Sequence, residues 1–123
     1  MTSTIDHPAH YTGRDIGYEC IDLTQHQPFL VGNVIKYLWR YKAKGHPDED
    51  LEKARWYATR ASQRQEKVNL ASGQCNDILL SLITATRGYE SAAWTGLLQR
   101  KWYITLAALD MMIKEAKNGT QTA

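Results

Sequence analysis

The sequence predicts an all-α protein, a small helical bundle of about five helices behind an irregular N-terminal arm. Apolar residues recur at helical spacing between residues 30 and 41, where Leu30, Val34 and Leu38 share one side. A second stripe of the same kind, rich in alanine, follows between residues 51 and 61. Proline and glycine stand between these stripes, where helices would start and stop.

The first half of the chain divides at its prolines and glycines. Residues 1–18 are predicted to be the irregular arm, and a short helix is expected over 19–26 until Pro28 breaks it. The second helix is predicted over 29–44 and ends at Gly45, a favourable residue after a helix C-terminus. The third begins at Pro47, followed by acids that suit a helix N-terminus, and runs to Glu66.

The second half is more apolar. Residues 69–73 form a loop by composition, and a fourth helix is expected from Asn76 or Asp77 to Arg87, with Gly88 stopping it. Its run 78–84 also suits a strand, because β-branched residues favour strands, and we predict helix. A fifth helix is predicted over 91–117 with a bend near Gly96, before a flexible tail at 118–123.

Length and composition limit the class of protein. A chain of 123 residues predicts a single domain, 1–123, with a helical extension at 69–117. It contains no apolar run of about 20 residues, and its first residues are not expected to be a signal peptide, because they lack a basic start and an apolar run. Two cysteines without metal-ligand spacing predict a reducing, cytoplasmic setting. The net charge of +2 argues against binding to bulk nucleic acid.

The predicted last helix carries more apolar surface than one stripe. A fully buried central helix would explain it, and so would a subunit interface. We favour the interface and expect a homo-oligomer, with this extension as the oligomerisation element.

The second helix presents the main candidate site. At about 100° per residue, Asn33, Lys36, Arg40 and Lys44 fall on one narrow face, with Tyr37 at its edge. Residues 29–44 contain no acid, so these cations lack the i,i+4 partners of an ordinary solvated face. The pattern indicates an anion site for a phosphate-bearing ligand, whereas a plain solvated surface is the alternative.

Other segments extend this candidate site. In the arm, His10 could hydrogen-bond a phosphate and Tyr11 could stack on a base, while His7 and His10 could instead anchor the arm. A metal held by these histidines with Glu19 or Asp22 is an alternative, but no third ligand has diagnostic spacing, and we predict no metal. On the third helix, Lys53 shares a face with Tyr57 and would add a cation.

The two acids of the short helix leave two readings open. Glu19 and Asp22 are three residues apart and could bind Mg²⁺ or act as a base, or they could neutralise Lys36 or Arg40. The chain has no phosphate-binding loop of the Gly-x-x-x-x-Gly-Lys-Ser/Thr type and no Gly-x-Ser-x-Gly turn.

Four motifs occur in a fixed order: HPxHY from His7, ECID from Glu19, GNxIKYxxR from Gly32 and EDLxKAxxY from Glu49. In this order they resemble a small phage domain of unknown function that is found at the C-terminal end of phage nucleotide kinases. The resemblance covers about residues 6–60. It implies a phage origin, the cytoplasm of an infected bacterium and a nucleotide ligand. The residues it implicates are His7, His10, Tyr11, Asn33, Lys36, Tyr37, Arg40, Lys53 and Tyr57.

Two functions fit these features. The first is a non-catalytic protein that sequesters a nucleotide or cyclic nucleotide, for example a host immune signal, and needs no cofactor. The alternative is a nucleotide kinase or other phosphotransferase that would use Mg²⁺ without a phosphate-binding loop. A helical module that binds a host protein is a third, weaker interpretation.

Overall fold

The computed structural model describes residues 14–43 and 45–122, and within these ranges the chain is helical without strands. This confirms the predicted all-α class. Six helices are present among the described residues. They are α1 (Cys20–Thr24), α2 (Phe29–Arg40), α3 (Pro47–Gln63), α4 (Gly73–Ala85), α5 (Gly88–Gln99) and α6 (Trp102–Thr122).

The start of α2 depends on a residue far away in sequence. Pro28 occupies the N-cap position and offers no side-chain acceptor for the first N–H groups of the helix. The Glu66 carboxylate accepts the N–H of Val31 at 2.8 Å instead. The backbone carbonyl of Glu66 also accepts the indole N–H of Trp102 at 2.7 Å. The segment after α3 therefore caps α2 and anchors α6.

Two helix ends differ from the prediction for the same reason. Gln65 and Arg100 adopt left-handed backbone conformations, with φ of 56° and 59°. After each, a backbone N–H reaches back five residues, from Glu66 to Ala61 at 2.8 Å and from Lys101 to Gly96 at 2.8 Å. These are Schellman closures, which sequence analysis expects at glycine. Accordingly α3 ends at Gln63 instead of Glu66, and the predicted helix 91–117 is two helices.

Three other boundaries are corrected. Helix α2 ends at Arg40 instead of Lys44, and turn residues follow. Helix α4 begins at Gly73, because the hydroxyl of Ser72 accepts the Gln74 N–H at 3.3 Å. Gly88 starts α5 instead of stopping α4.

Gly96 does not mark a bend. It lies within α5, facing the first turn of α6, and a Cβ built there would lie 2.7 Å from the Thr105 nitrogen and overlap the Thr105 hydroxyl. Glycine is therefore required for α5 and α6 to pack this closely.

The core accounts for much of the apolar surface of the second half. Helices α5 and α6 pack against each other, and α6 also packs against α3. Trp94, Leu97, Leu109 and Met112 are buried within the chain. The break at Arg100 thus lets two helices cover each other's apolar faces, and the homo-oligomer remains a prediction. In the first half, the predicted stripe Leu51, Ala54, Ala58 and Ala61 is fully buried. Among the described residues, no helix is both long and apolar enough to cross a membrane.

Candidate anion-binding site

A pocket of about 340 Å³ lies between α1 and α2, and we call it the α1–α2 pocket. Its volume is at the lower end of the range for small-molecule sites. Helix α1 supplies three lining residues and α2 supplies five. They are Cys20, Ile21, Thr24, Gly32, Asn33, Lys36, Trp39 and Arg40. Three residues of the helical face predicted from the sequence, Asn33, Lys36 and Arg40, therefore line one pocket.

The charge of this pocket is one-sided. Among the residues that the structure describes, two cations line it, Lys36 and Arg40, and no acid does. The Lys36 side chain is exposed, and no carboxylate of the described residues lies within ion-pair distance of it. The Arg40 Nε lies 3.5 Å from the carboxylate of Asp50, which is only 8% exposed. The pocket thus keeps one unpaired cation and one partly compensated cation.

The Asp22 carboxylate does not pair with these cations, which was one of the two alternatives for the acids at α1. The Asp22 carboxylate accepts the Glu19 N–H at 2.8 Å, and the two residues form a capping box at the start of α1. It is Asp50, on α3, that pairs with Arg40. That pairing joins α2 to α3, and it leaves the α1 side of the pocket without a negative charge in its lining.

Three cations converge on the Tyr37 ring. The Lys36 ammonium and the Arg40 guanidinium each lie 4.9 Å from its centroid, and the Lys53 ammonium lies at 5.5 Å. Each such contact stabilises by about 0.5–1 kcal/mol at an exposed site. Crowding three positive groups around one ring also raises their mutual repulsion, which a bound anion would relieve.

An aromatic cluster continues from Tyr37 across α3, formed by Phe29, Tyr37, Trp56 and Tyr57. Tyr37 stacks on Tyr57 with centroids 5.9 Å apart. Phe29 and Trp56 each meet the Tyr57 ring edge to face, at 6.2 and 5.0 Å. The predicted residues Tyr37, Lys53 and Tyr57 are therefore brought together beside the pocket.

Asn33 and Gly32 also line the pocket, and their contacts limit what each can contribute to it. The Asn33 amide donates to the Phe29 carbonyl at 2.9 Å, which engages one of its N–H groups. A Cβ at Gly32 would meet its nearest heavy atoms, on Thr24 and Gln27, at 3.9 and 4.0 Å, an ordinary contact. Close backbone approach therefore does not require glycine here.

The sequence did not single out Trp39 or the α1 side of the pocket. Trp39 lines the pocket, is 4% exposed, and its indole N–H has no hydrogen-bond partner among the described residues. Burial raises the pKa of the Cys20 thiol to about 12, although Arg14, Lys36 and Arg40 lower it. Cys20 is thus a neutral, weakly nucleophilic wall of the pocket at neutral pH. Only the packing of α1 on α2 reveals these residues.

Four predicted site residues lie outside the described residues: His7, His10, Tyr11 and Lys44. Within 14–43 and 45–122, no three His, Cys, Asp or Glu side chains are grouped to hold a metal ion.

A larger cleft of about 1360 Å³ lies on another side of α2. Its lining carries the cations Arg14, Lys42 and Arg87, and the acids Asp15, Glu90 and Glu115 in equal number. Because these charges balance, the cleft offers an anion less net attraction than the α1–α2 pocket.

Glu90 organises the inner wall of this cleft. Its carboxylate is 5% exposed, forms an ion pair with Arg14 and accepts hydrogen bonds from the Tyr41 hydroxyl at 2.9 Å and the Trp94 indole at 3.1 Å. Arg14 in turn donates to the carbonyls of Leu38 and Trp39 at the end of α2. This satisfied network holds α2 against α5, and no pattern in the sequence predicts it.

Comparison with known proteins assigns no activity. Residues 5–59 match a family described as proteins of unknown function, DUF3310. No curated protein matches the chain. No solved structure matches it either. The matched range contains the whole α1–α2 pocket and the aromatic cluster.

Proposed function

We propose that this is a phage protein that binds a phosphate-bearing nucleotide in the α1–α2 pocket and sequesters it without converting it. The observation that carries the proposal is the one-sided charge of the pocket, with Lys36 and Arg40 in the lining and Lys53 beside them around Tyr37. The phage origin is supported by the resemblance of the ordered motifs.

The strength of these contacts suits a ligand at cellular concentrations. A hydrogen bond from a charged donor contributes about 1.5–3 kcal/mol when it is shielded from water. Two such bonds from Lys36 and Arg40 supply about 3–6 kcal/mol, and about micromolar affinity, about 8 kcal/mol, therefore needs further contacts such as a base stacked on a tyrosine. An oligomer with several copies of the site would bind several ligands, and light scattering tests that part of the proposal.

The acids nearest the pocket favour binding over chemistry. A kinase would need a carboxylate to hold Mg²⁺ or to orient the acceptor hydroxyl. Asp50 is buried against Arg40, and Asp22 caps α1 through the Glu19 N–H. Both carboxylates already have structural partners, so a tightly bound, unchanged nucleotide is the outcome that fits.

The test compares binding with turnover. The purified protein is incubated with Mg²⁺ and a panel of nucleoside mono- and triphosphates and cyclic nucleotides, then separated from free ligand and heat-denatured. We expect chromatography to recover a bound nucleotide unchanged. A phosphorylated or hydrolysed product would show a catalyst instead, and the absence of any bound member of the panel would contradict nucleotide binding.

A further inference from the structure

Two large aromatic side chains of the aromatic cluster remain in water. Phe29 is 72% exposed and Trp56 is 61% exposed, although both contact the half-buried Tyr57 ring. Burying such rings is worth several kcal/mol, so a contiguous exposed pair indicates a surface that another molecule covers.

The charges next to these rings are positive. On α2, Phe29 lies on the same helical face as Lys36, and on α3, Trp56 lies between Lys53 and Arg60 at helical spacing. Residues 53–65 carry four cations and no acid, and one of these cations, Arg55, is paired with Asp110 of α6. Four acids lie at positions 48–52, before Lys53, and two of them are paired, Asp50 with Arg40 and Glu52 with Lys117. The exposed rings therefore lie in a field that attracts anions.

We propose that the ligand of the α1–α2 pocket carries at least two nucleobases joined by phosphodiester linkages. This inference rests on the proposed function. One phosphate occupies the pocket at Lys36 and Arg40, the bases stack on Phe29 and Trp56, and the remaining phosphates lie near Lys53 and Arg60. Stacked aromatic rings beside a basic track are how proteins hold single-stranded nucleotides, since every base has a π face.

Two features favour this occupant over a second copy of the chain. In a symmetric dimer the same patch meets itself, so the cations Lys36, Lys53 and Arg60 of one copy would meet the equally basic patch of the other copy. The cores of protein interfaces are depleted of charge, whereas this surface interleaves charge with rings. A polyanion with planar bases complements both the cations and the exposed rings of this surface.

The pocket's size agrees with a ligand that extends outward. A volume of about 340 Å³ is small for a ligand with two bases, and Tyr37, at the edge of the α2 face, connects it to the exposed rings through Tyr57. The rings therefore lie where the rest of such a ligand would emerge.

The test measures how affinity depends on the number of bases. Calorimetry with the full chain compares the four nucleoside 5′-monophosphates, the four 5′-phosphorylated linear homodinucleotides and the corresponding cyclic dinucleotides. We expect at least one linear or cyclic dinucleotide to bind at least tenfold more tightly than its monophosphate. The comparison of linear with cyclic dinucleotides shows whether the ligand is an open strand or a ring.

Variants then locate the stacking. Trp56→Ala and Phe29→Ala should each weaken the preferred dinucleotide at least fivefold and change monophosphate binding less. Tyr103→Ala is the matched control, because Tyr103 is 69% exposed on α6 outside the aromatic cluster, and it should bind as the wild type does. Circular dichroism verifies that each variant is folded.

The outcomes separate the two proposals. Equal affinities for monophosphates and dinucleotides, or dinucleotide binding unchanged by Trp56→Ala and Phe29→Ala, would overturn this inference and leave the proposed function standing. No binding by any of the twelve probes would overturn this inference, and it would overturn the proposed function as well if no triphosphate or cyclic mononucleotide of the earlier panel bound either. A change of oligomeric state by light scattering in Trp56→Ala, without a change in dinucleotide affinity, would assign the patch to a second copy and overturn the inference.

Discussion

Lys36 and Arg40 share a pocket but differ as individual residues. Lys36 is exposed, and among the described residues no carboxylate pairs with it, so removing its charge disturbs little else. Arg40 compensates the buried Asp50, and replacing it by alanine would leave that carboxylate buried and unpaired. Breaking a buried pair in this way costs about 3–5 kcal/mol. A loss of binding in an Arg40 variant could therefore come from a lost ligand contact or from a destabilised fold. In a Lys36 variant the loss would come from the ligand contact.

The Tyr41 hydroxyl makes the free energy of unfolding depend on pH in the alkaline range. Burial, followed by the nearby Glu90 charge and the hydrogen bond to it, raises the pKa of the Tyr41 hydroxyl above its ordinary value of 10.0. Above that pH the unfolded chain loses this proton while the folded chain retains it. The folded state then binds more protons, so the free energy of unfolding falls as pH rises.

We predict that Tyr41→Phe reduces the loss of stability that the wild type shows at alkaline pH. At pH 7 the variant should be less stable by about 1 kcal/mol, because one hydrogen bond to Glu90 is lost. Between pH 10 and 11.5 the difference from wild type should shrink. Urea denaturation across this range measures it, and parallel losses in both proteins would show that Tyr41 is not responsible.

For single residues, the sequence predicted which side chains of α2 share one face. It did not predict contacts between side chains of two different elements. Asn33, Lys36 and Arg40 line one pocket because all three lie on a single face of α2. Asp50 as the partner of Arg40, and Glu90 as the partner of Arg14, were missed because each contact joins residues from different elements. Local periodicity carries no information on such pairs.

Among the helices, the errors of prediction were at the ends. Sequence analysis treats glycine as the residue that closes a helix, and here Gln65 and Arg100 adopt the left-handed conformation instead. Non-glycine residues pay an intrinsic penalty there, so tertiary contacts must hold them. The hydrogen bonds of Glu66 with Val31 and Trp102 are such contacts next to Gln65. Where proline marked a start, as at Pro47, the prediction is confirmed.

Gly96 and Gly32 give a matched test of helix packing. A methyl group at Gly96 would overlap Thr105, so Gly96→Ala should destabilise the protein by about 1–3 kcal/mol through overpacking of α5 against α6. A methyl group at Gly32 meets only ordinary contacts, so Gly32→Ala should be neutral or stabilising by up to about 1 kcal/mol through helix propensity.

Thermal unfolding followed by circular dichroism compares the two glycine variants. Both changes add one methyl group inside a helix and so raise helix propensity equally. Opposite changes in stability would therefore be due to packing. Equal stabilities for Gly96→Ala and the wild type would mean that α5 and α6 do not approach each other as described.

For the whole molecule, the arrangement of charge matters more than its total. The net charge is only +2, yet the cations of α2 and α3 gather around the α1–α2 pocket and Tyr37 while the larger cleft is balanced. A small net charge therefore does not exclude a strongly positive local site. The placement of that site on the segment 5–59, which matches a family of unknown function, makes it the natural place to look for the function of that segment.

The most direct measurement is a titration of the ¹⁵N-labelled protein with inorganic pyrophosphate, followed by NMR. We predict amide shifts that concentrate at residues 20–24 and 32–40, and an affinity that falls about tenfold, or about 1.4 kcal/mol, in Lys36→Gln. Lys114→Gln, an exposed lysine on α6, should bind as the wild type does. Shifts that concentrate at Lys42 and Arg87 instead, or equal affinities for Lys36→Gln and the wild type, would contradict an anion site between α1 and α2.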